Sequence, residues 1–313
     1  MEIQQEVIDW LLDSDPAIRW QVRKDILHEL PAAHEEERRQ LAHCGWCAQL
    51  LHFQEEDGLW NRSLYNGKWL STTYSLYLLK ILGLPPGNPQ ALRGCEQLLT
   101  KGLYRQEEIR FSAKQDVSDL GVTAIVLSLC SYFGVGGAAL PKIASFLARE
   151  QRDEGNWFPN GSASVVGYTF ETTLLVLEAL HQYRGCHTQE NDSAVSSAMQ
   201  KGQDFLLKHN LGLGEPNLFK SQWTSFSFPP YWFYDILTAL DTFAAMQTVR
   251  DNRCQRAIDL VRQKQTRDGK WLSGSRHAGK TYFEMETPGS PSRWNTLRAL
   301  RVLDRWEGKE DSD

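Results

Sequence analysis

Two kinds of apolar stretch alternate along the chain, one with the 3.6-residue period of an amphipathic helix and one apolar nearly throughout. The first kind has one apolar stripe: Leu92, Cys95, Leu98 and Leu99 form an example, and Leu140, Ile143, Phe146 and Leu147 form another. A helix of this kind needs one buried face. The second kind is apolar nearly all round. Residues 74–82, 174–180 and 236–246 each carry a single charge, and residues 122–133 carry none. Such helices must be enclosed on most sides. Upstream of these, Asp15 and Pro16 read as an N-cap and a first-turn proline, which splits 3–12 from 17–30 as a further helical hairpin. No stretch sustains strand alternation, so the pattern predicts an all-α chain of about twelve helices. Alternation of enclosed and half-exposed helices predicts an inner apolar ring wrapped by an outer amphipathic ring, an α/α toroid.

The connections carry direction. Those leading from outer to inner helices are long (54–70, 101–115, 151–165, 210–228 and 266–290), whereas the returns are short (84–88 and 134–138). All long loops therefore gather at one end, where the inner-helix N-termini and their positive dipole ends converge, and the functional mouth is expected there. The long loops also repeat a motif. Gln54, Gly58 and Trp60 spell Q-x-x-x-G-x-W, as do Gln151, Gly155 and Trp157, and Gln265, Gly269 and Trp271. A degraded copy lies at Gly102 and Tyr104, and a weaker one near Gly212, giving five units of roughly fifty residues. Turn glycines and packed aromatics account for these residues, so a structural role is expected for them. The expected organisation is one domain over 1–313: a hairpin at 1–30, repeats over 36–306, and a disordered acidic tail at 307–313.

Three strict copies of this motif before apolar helices resemble the QW repeats of squalene and oxidosqualene cyclases, and more loosely protein prenyltransferase β-subunits, which share the toroid. The segments DPAIRWQVRKDIL, KWLSTTYSLYLL and FEMETPGSPSRWNTLRALRVL resemble bacterial proteins labelled prenyltransferase-like or squalene-cyclase-like. The resemblance implies an isoprenoid ligand and, for class II cyclases, a D-x-D-D acid that protonates an alkene. Here the nearest match is Asp116, Val117, Ser118 and Asp119, with Ser118 where the proton donor should stand. Asp116 or Asp119 is then the substitute acid, with helix capping as the competing role. Prenyltransferases hold zinc with Asp, Cys and His at inner-helix starts. The corresponding openings, 166–172 and 230–235, contain neither Cys nor His, so no such zinc site is expected.

Composition narrows the classes further. With 313 residues, 41% of them hydrophobic, and a formal charge of −5, the chain is neither disordered nor a general nucleic-acid binder. The longest nearly charge-free apolar stretch, 121–133, is too short to span a bilayer, and the acidic N-terminus lacks a signal pattern, which points to the cytosol. Six cysteines are sparse. Cys44 and Cys47 form a C-x-x-C without βαβ context, read as helix-face packing. No G-x-S-x-G elbow, P-loop or G-x-G-x-x-G occurs.

The expected mouth concentrates acids and aromatics. Candidate acids or bases are Asp116, Asp119, Glu171, Asp235 and Glu284; candidate ligand contacts are Tyr74, Tyr168, Phe228, Tyr231, Trp232, Phe283, Arg293, Trp294 and Asn295. Glu284 and Glu286 are expected on one face, with Arg293 pairing one of them. Aromatic walls suit an isoprenoid or other apolar ligand, expected in the central toroid cavity. Convergent helix N-termini, with Arg293 and Lys68, favour an anionic head group above the aromatic interior. No cofactor is required, and a divalent metal ion enters only if the ligand is a diphosphate. Three classes follow: an enzyme acting on a prenyl or terpenoid substrate, a non-catalytic lipid- or partner-binding toroid, and a carbohydrate-active α/α barrel using two facing carboxylates such as Asp116 and Glu284. The sequence leaves the oligomeric state open. Metal analysis of untagged protein is expected to find no stoichiometric zinc.

Overall fold

The aspartate before Pro16 does what the pattern requires: its carboxylate accepts the Ala17 N–H at 2.9 Å and starts a helix with proline in its first turn. The computed structural model describes residues 3–112, 119–158, 167–187, 192–214, 219–248 and 250–307. Among the described residues there are thirteen α-helices: α1 (Gln5–Leu12), α2 (Pro16–Asp25), α3 (Pro31–Arg39), α4 (Gly45–His52), α5 (Thr72–Leu82), α6 (Pro89–Gly102), α7 (Leu120–Phe133), α8 (Ala139–Arg149), α9 (Gly167–Cys186), α10 (Ser193–Lys208), α11 (Ile236–Ala245), α12 (Gln255–Gln263) and α13 (Arg293–Glu307). The number exceeds twelve because residues 31–52 break at a short 3-10 turn, Gln40–Ala42, that separates α3 from α4. Among the same residues, strands form two ladders of two-residue strands, β1 (Leu103–Tyr104) with β2 (Glu108–Ile109) and β3 (Trp271–Leu272) with β4 (Pro291–Ser292), and isolated bridges join Trp60 to Gln54 and Ser63.

The helices form an α/α toroid. Contacts run around the inner ring from α5 to α7, α9, α11, α13 and α2. The ring closes where α2 reaches the end of α5: the Trp20 indole donates to the Leu82 carbonyl at 2.9 Å, and Gln21 donates to that of Ile81 at 3.2 Å. Burial separates the two rings as the pattern predicts. On α7 nearly every side chain is buried, whereas α12 buries only Ala257, Ile258 and Val261.

Three turns of one construction link the rings. Trp60, Trp157 and Trp271 each donate an indole N–H to a carbonyl ten residues back on the preceding outer helix, those of Leu50, Leu147 and Val261, at 2.8, 2.6 and 2.7 Å. Their backbone N–H groups bond Thr72, Thr173 and Thr296 of the following inner helices at 3.0–3.1 Å. A fourth turn uses the same inner-helix contact without tryptophan, as the Ile109 N–H donates to Thr123 Oγ1 at 3.1 Å. Fully buried Ile109, and not the exposed Tyr104 beside the degraded sequence copy, thus takes the indole's place. Gly155 sits at φ +91°, and a β-carbon there would stand 2.5 Å from the Lys201 carbonyl, so only glycine fits.

The glutamines differ in reach. Gln54 and Gln151 each donate within their own turn and also to the next outer helix, at Gln90 and Ala198, whereas Gln265 donates only to Gly269. Gln151→Ala should therefore cost about 1–3 kcal/mol and Gln265→Ala about half of that, as read by urea unfolding.

Candidate functional site

Each long loop brings aromatic side chains to the inner-helix N-termini. Trp69 arrives just before α5 and lies flat on Tyr231, with ring centres 4.0 Å apart and planes within 7°. Tyr74 meets both rings edge-on. From the last long loop, His277 stacks on Phe233 at 3.8 Å, and Tyr282 stacks on Phe53 while donating to the Leu70 carbonyl at 3.0 Å. Phe228 stacks on the buried Trp294 at 4.2 Å. These loops enclose a cavity of ≈ 360 Å³ whose walls include Trp69, Phe228, Tyr231, His277, Tyr282 and Phe283. Two ring nitrogens on this wall, Trp69 Nε1 and His277 Nε2, are buried without a hydrogen-bond partner. Burial pushes the His277 pKa down to about 4, so its imidazole is neutral at pH 7 and one of its nitrogens is an acceptor.

The candidate acids have other engagements. Asp119 caps α7 by accepting the Val122 N–H at 3.0 Å, and Asp235 caps α11 by accepting that of Thr238 at 2.7 Å. Burial raises both pKa values against the pull of those caps. Glu171 is buried and accepts from Lys220 at 3.0 Å; burial raises its pKa, and the ammonium and the Trp223 indole pull the other way. Asp116 lies outside the described residues.

Glu284 and Glu286 do not share a face. Glu284 is exposed and held by Arg276, whereas Glu286 turns inward, accepting the Ser292 hydroxyl at 2.6 Å and the Trp294 N–H at 3.2 Å at the start of α13. Arg293 does not form the expected acid pair: its guanidinium spans the Trp10 and Asp13 carbonyls at 3.1 and 3.0 Å and lies over the Trp10 ring, stitching α13 to α1. Asn295, wholly buried, clamps two loops by donating to the Phe226 and Leu272 carbonyls at 2.7 and 2.9 Å. Tyr168 is exposed beside Trp232, which stacks on Phe233. The structure thus brings Phe228, Tyr231 and Phe283 to one cavity wall, and spreads the acids among caps and ion pairs.

A larger cavity, of ≈ 810 Å³, lies within the inner ring and reaches the C-terminal ends of the inner helices, opposite the expected mouth. A central cavity was expected from the sequence, but with aromatic walls and an opening at the loop end, not with this charged lining. Its walls carry the Arg298, Arg301, Asp241 and Asp25 cluster on one side and the Lys80 and Glu178 pair, at 2.5 Å, on another. Burial works to raise the Asp241 pKa, but Arg301 and Arg298 overrule it and hold the carboxyl below its usual range. Lys80, Glu178 and Asp241 are the lone charges of the apolar stretches 74–82, 174–180 and 236–246, and that was the available signal. Among the described residues, no three His, Cys, Asp or Glu side chains gather as a metal site, and no helix is long and apolar enough to cross a membrane. Cys47 is buried, and burial holds its thiol protonated.

No protein-family model matches the sequence, and no curated protein is significantly similar to it. Among solved structures, a protein from Actinoplanes shares 16% identity with this chain over 96% of it and 98% of its own length, with a TM-score of 0.50. A variant of the type II terpene cyclase MstE from Scytonema, solved with geranylgeranyl dihydroxybenzoate, shares 15% over 96% and 98%, with a TM-score of 0.47. A possible member of the GH105 family from Salmonella enterica shares 9% over 96% and 92%, with a TM-score of 0.48. At these identities the likeness to the Actinoplanes protein is one of fold alone.

The neutral His277 gives the aromatic loops a pH dependence. Its folded pKa, about 4, lies below the ordinary 6.5, so the stability it contributes is complete above pH 6.5 and is lost as pH falls towards 4. Urea unfolding at pH 7 and pH 4.5 should show wild type losing about 2–3 kcal/mol more than His277→Phe.

Proposed function

We propose that the protein binds an apolar amphiphile, of isoprenoid or similar kind, in the aromatic cavity beneath the last long loop. The observation that carries this reading is the cavity wall itself: stacked aromatic rings with two buried, unpartnered ring nitrogens, Trp69 Nε1 and His277 Nε2. Aromatic faces favour an unsaturated hydrocarbon chain by burial, and a hydroxyl or carbonyl at its end would satisfy the indole donor. Non-catalytic binding is the reading most of the acids support, because Asp119 and Asp235 cap helices, Glu284 is paired with Arg276, and Glu171 holds Lys220 through one oxygen. The carbohydrate reading loses its support at Glu284, which is paired with Arg276 at the surface. The proposed binding needs no cofactor, and a divalent ion would enter only with a diphosphate head.

Farnesol serves as the probe, with tryptophan quenching and native mass spectrometry as readouts. Saturable one-to-one binding is expected, and Phe283→Ala should weaken it roughly tenfold through lost apolar contact. Asp119→Asn should bind as wild type does. Absence of saturable binding, together with no apolar molecule retained by the purified chain, would overturn the reading. Turnover of farnesol or geranylgeraniol that Asp119→Asn abolishes would move the protein to the enzyme class.

A further inference from the structure

The central cavity is built differently from the aromatic one, and its chemistry points to a different ligand. Five inner helices face it: α2 with Gln21, α5 with Lys80, α9 with Glu178, α11 with Asp241 and α13 with Arg298. At ≈ 810 Å³ it is large enough for a whole small molecule. Its lining holds six Lys and Arg residues against four Asp and Glu, in a chain whose overall charge is −5. Positive charge is therefore collected here against the trend of the molecule. Two of the arginines sit deep in the ring and not among the solvated side chains of a surface.

The carboxylates within the ring are already taken. Arg301 reaches Asp25 at 2.6 Å and Asp241 at 2.8 and 2.9 Å, while Lys80 holds Glu178 at 2.5 Å and also reaches the Ser128 hydroxyl at 2.6 Å. Arg298 is only 4% exposed; its Nε contacts Asp241 at 3.3 Å and its Nη2 donates to Thr238 at 2.7 Å. Its third donor group, Nη1, is buried with no acceptor. Buried donors are nearly always satisfied, and a guanidinium fork matches the oxygens of a phosphate or carboxylate. Arg298 is at the same time one of the residues that line the cavity.

We infer that the central cavity binds a small molecule bearing an oxyanion, phosphate or carboxylate, with Arg298 as its anchoring residue and the cations at the inner-helix C-termini drawing it in. The two cavities are separate sites. Phe228, stacked on Trp294, borders both and stands between them, so the oxyanion site does not depend on occupancy of the aromatic one.

Isothermal titration at low ionic strength tests this with two probes, inorganic phosphate and succinate, against sodium chloride at matched ionic strength. Saturable one-to-one binding of at least one probe is expected, and the probe preferred separates a phosphate site from a carboxylate site. Arg298→Gln should weaken that binding at least tenfold while farnesol quenching stays as in wild type, which separates this site from the aromatic one. Should circular dichroism show Arg298→Gln unfolded, Arg305→Gln at the cavity rim takes its place and should weaken binding about threefold with a shallower salt dependence. Failure of both anions to bind beyond the chloride control overturns the inference. So does a folded Arg298→Gln that binds as wild type does, or, in its stead, Arg305→Gln with unchanged affinity.

Discussion

One tryptophan in each strict turn holds two rings together. Its indole N–H takes a carbonyl from the end of the outer helix, its backbone N–H takes a threonine hydroxyl from the start of the inner helix, and the ring itself fills the space between. The indole bond adds a strong donor at the end of the outer helix, where the last carbonyls lack full intrahelical partners. Because this anchor fixes where each outer helix stops and each inner helix begins, it also fixes where the long loops leave the rings. The aromatic cavity, built mostly from those loops, is a consequence.

Helices and rings were legible in the sequence because burial writes itself as periodicity: enclosed helices cannot hide polar residues, and half-exposed ones need a single stripe. Asp15 and Pro16 were legible for the same local reason. What escaped was long-range. Arg293 follows Glu284 and Glu286 closely in sequence, yet the ring places Trp10 and Asp13 nearer, and two backbone carbonyls prevail over a carboxylate. The dipole argument located the loops correctly but not the larger cavity. Helix N-termini say nothing of how loop side chains fill the space above them, and here stacked rings occupy much of it.

The lone charges on apolar helices tell the complementary story. Read singly, Lys80, Glu178 and Asp241 look like blemishes in otherwise hydrophobic stretches; folding brings them to one interior space with Arg298 and Arg301. Burying a charge is costly unless it is paired, and the pairing seen around Asp241 meets that cost with two guanidinium groups at once. Such a network also specifies neighbours, since α11 can satisfy Asp241 only beside α13. Charge here orders the ring as packing alone would not, because apolar inner helices are nearly interchangeable to one another.

The seam of the toroid has a temporal meaning. Arg301 on the last helix and Asp25 on the second are 276 positions apart, and their ion pair forms part of the wall of the central cavity. Pairings so distant in sequence are late and slow events in folding, since the intervening chain must first be gathered. During synthesis α2 emerges with one flank of its surface waiting for α13, so the first hairpin remains an open edge until that helix has been made. The cavity is therefore complete only once α2 and α13 have met across the seam.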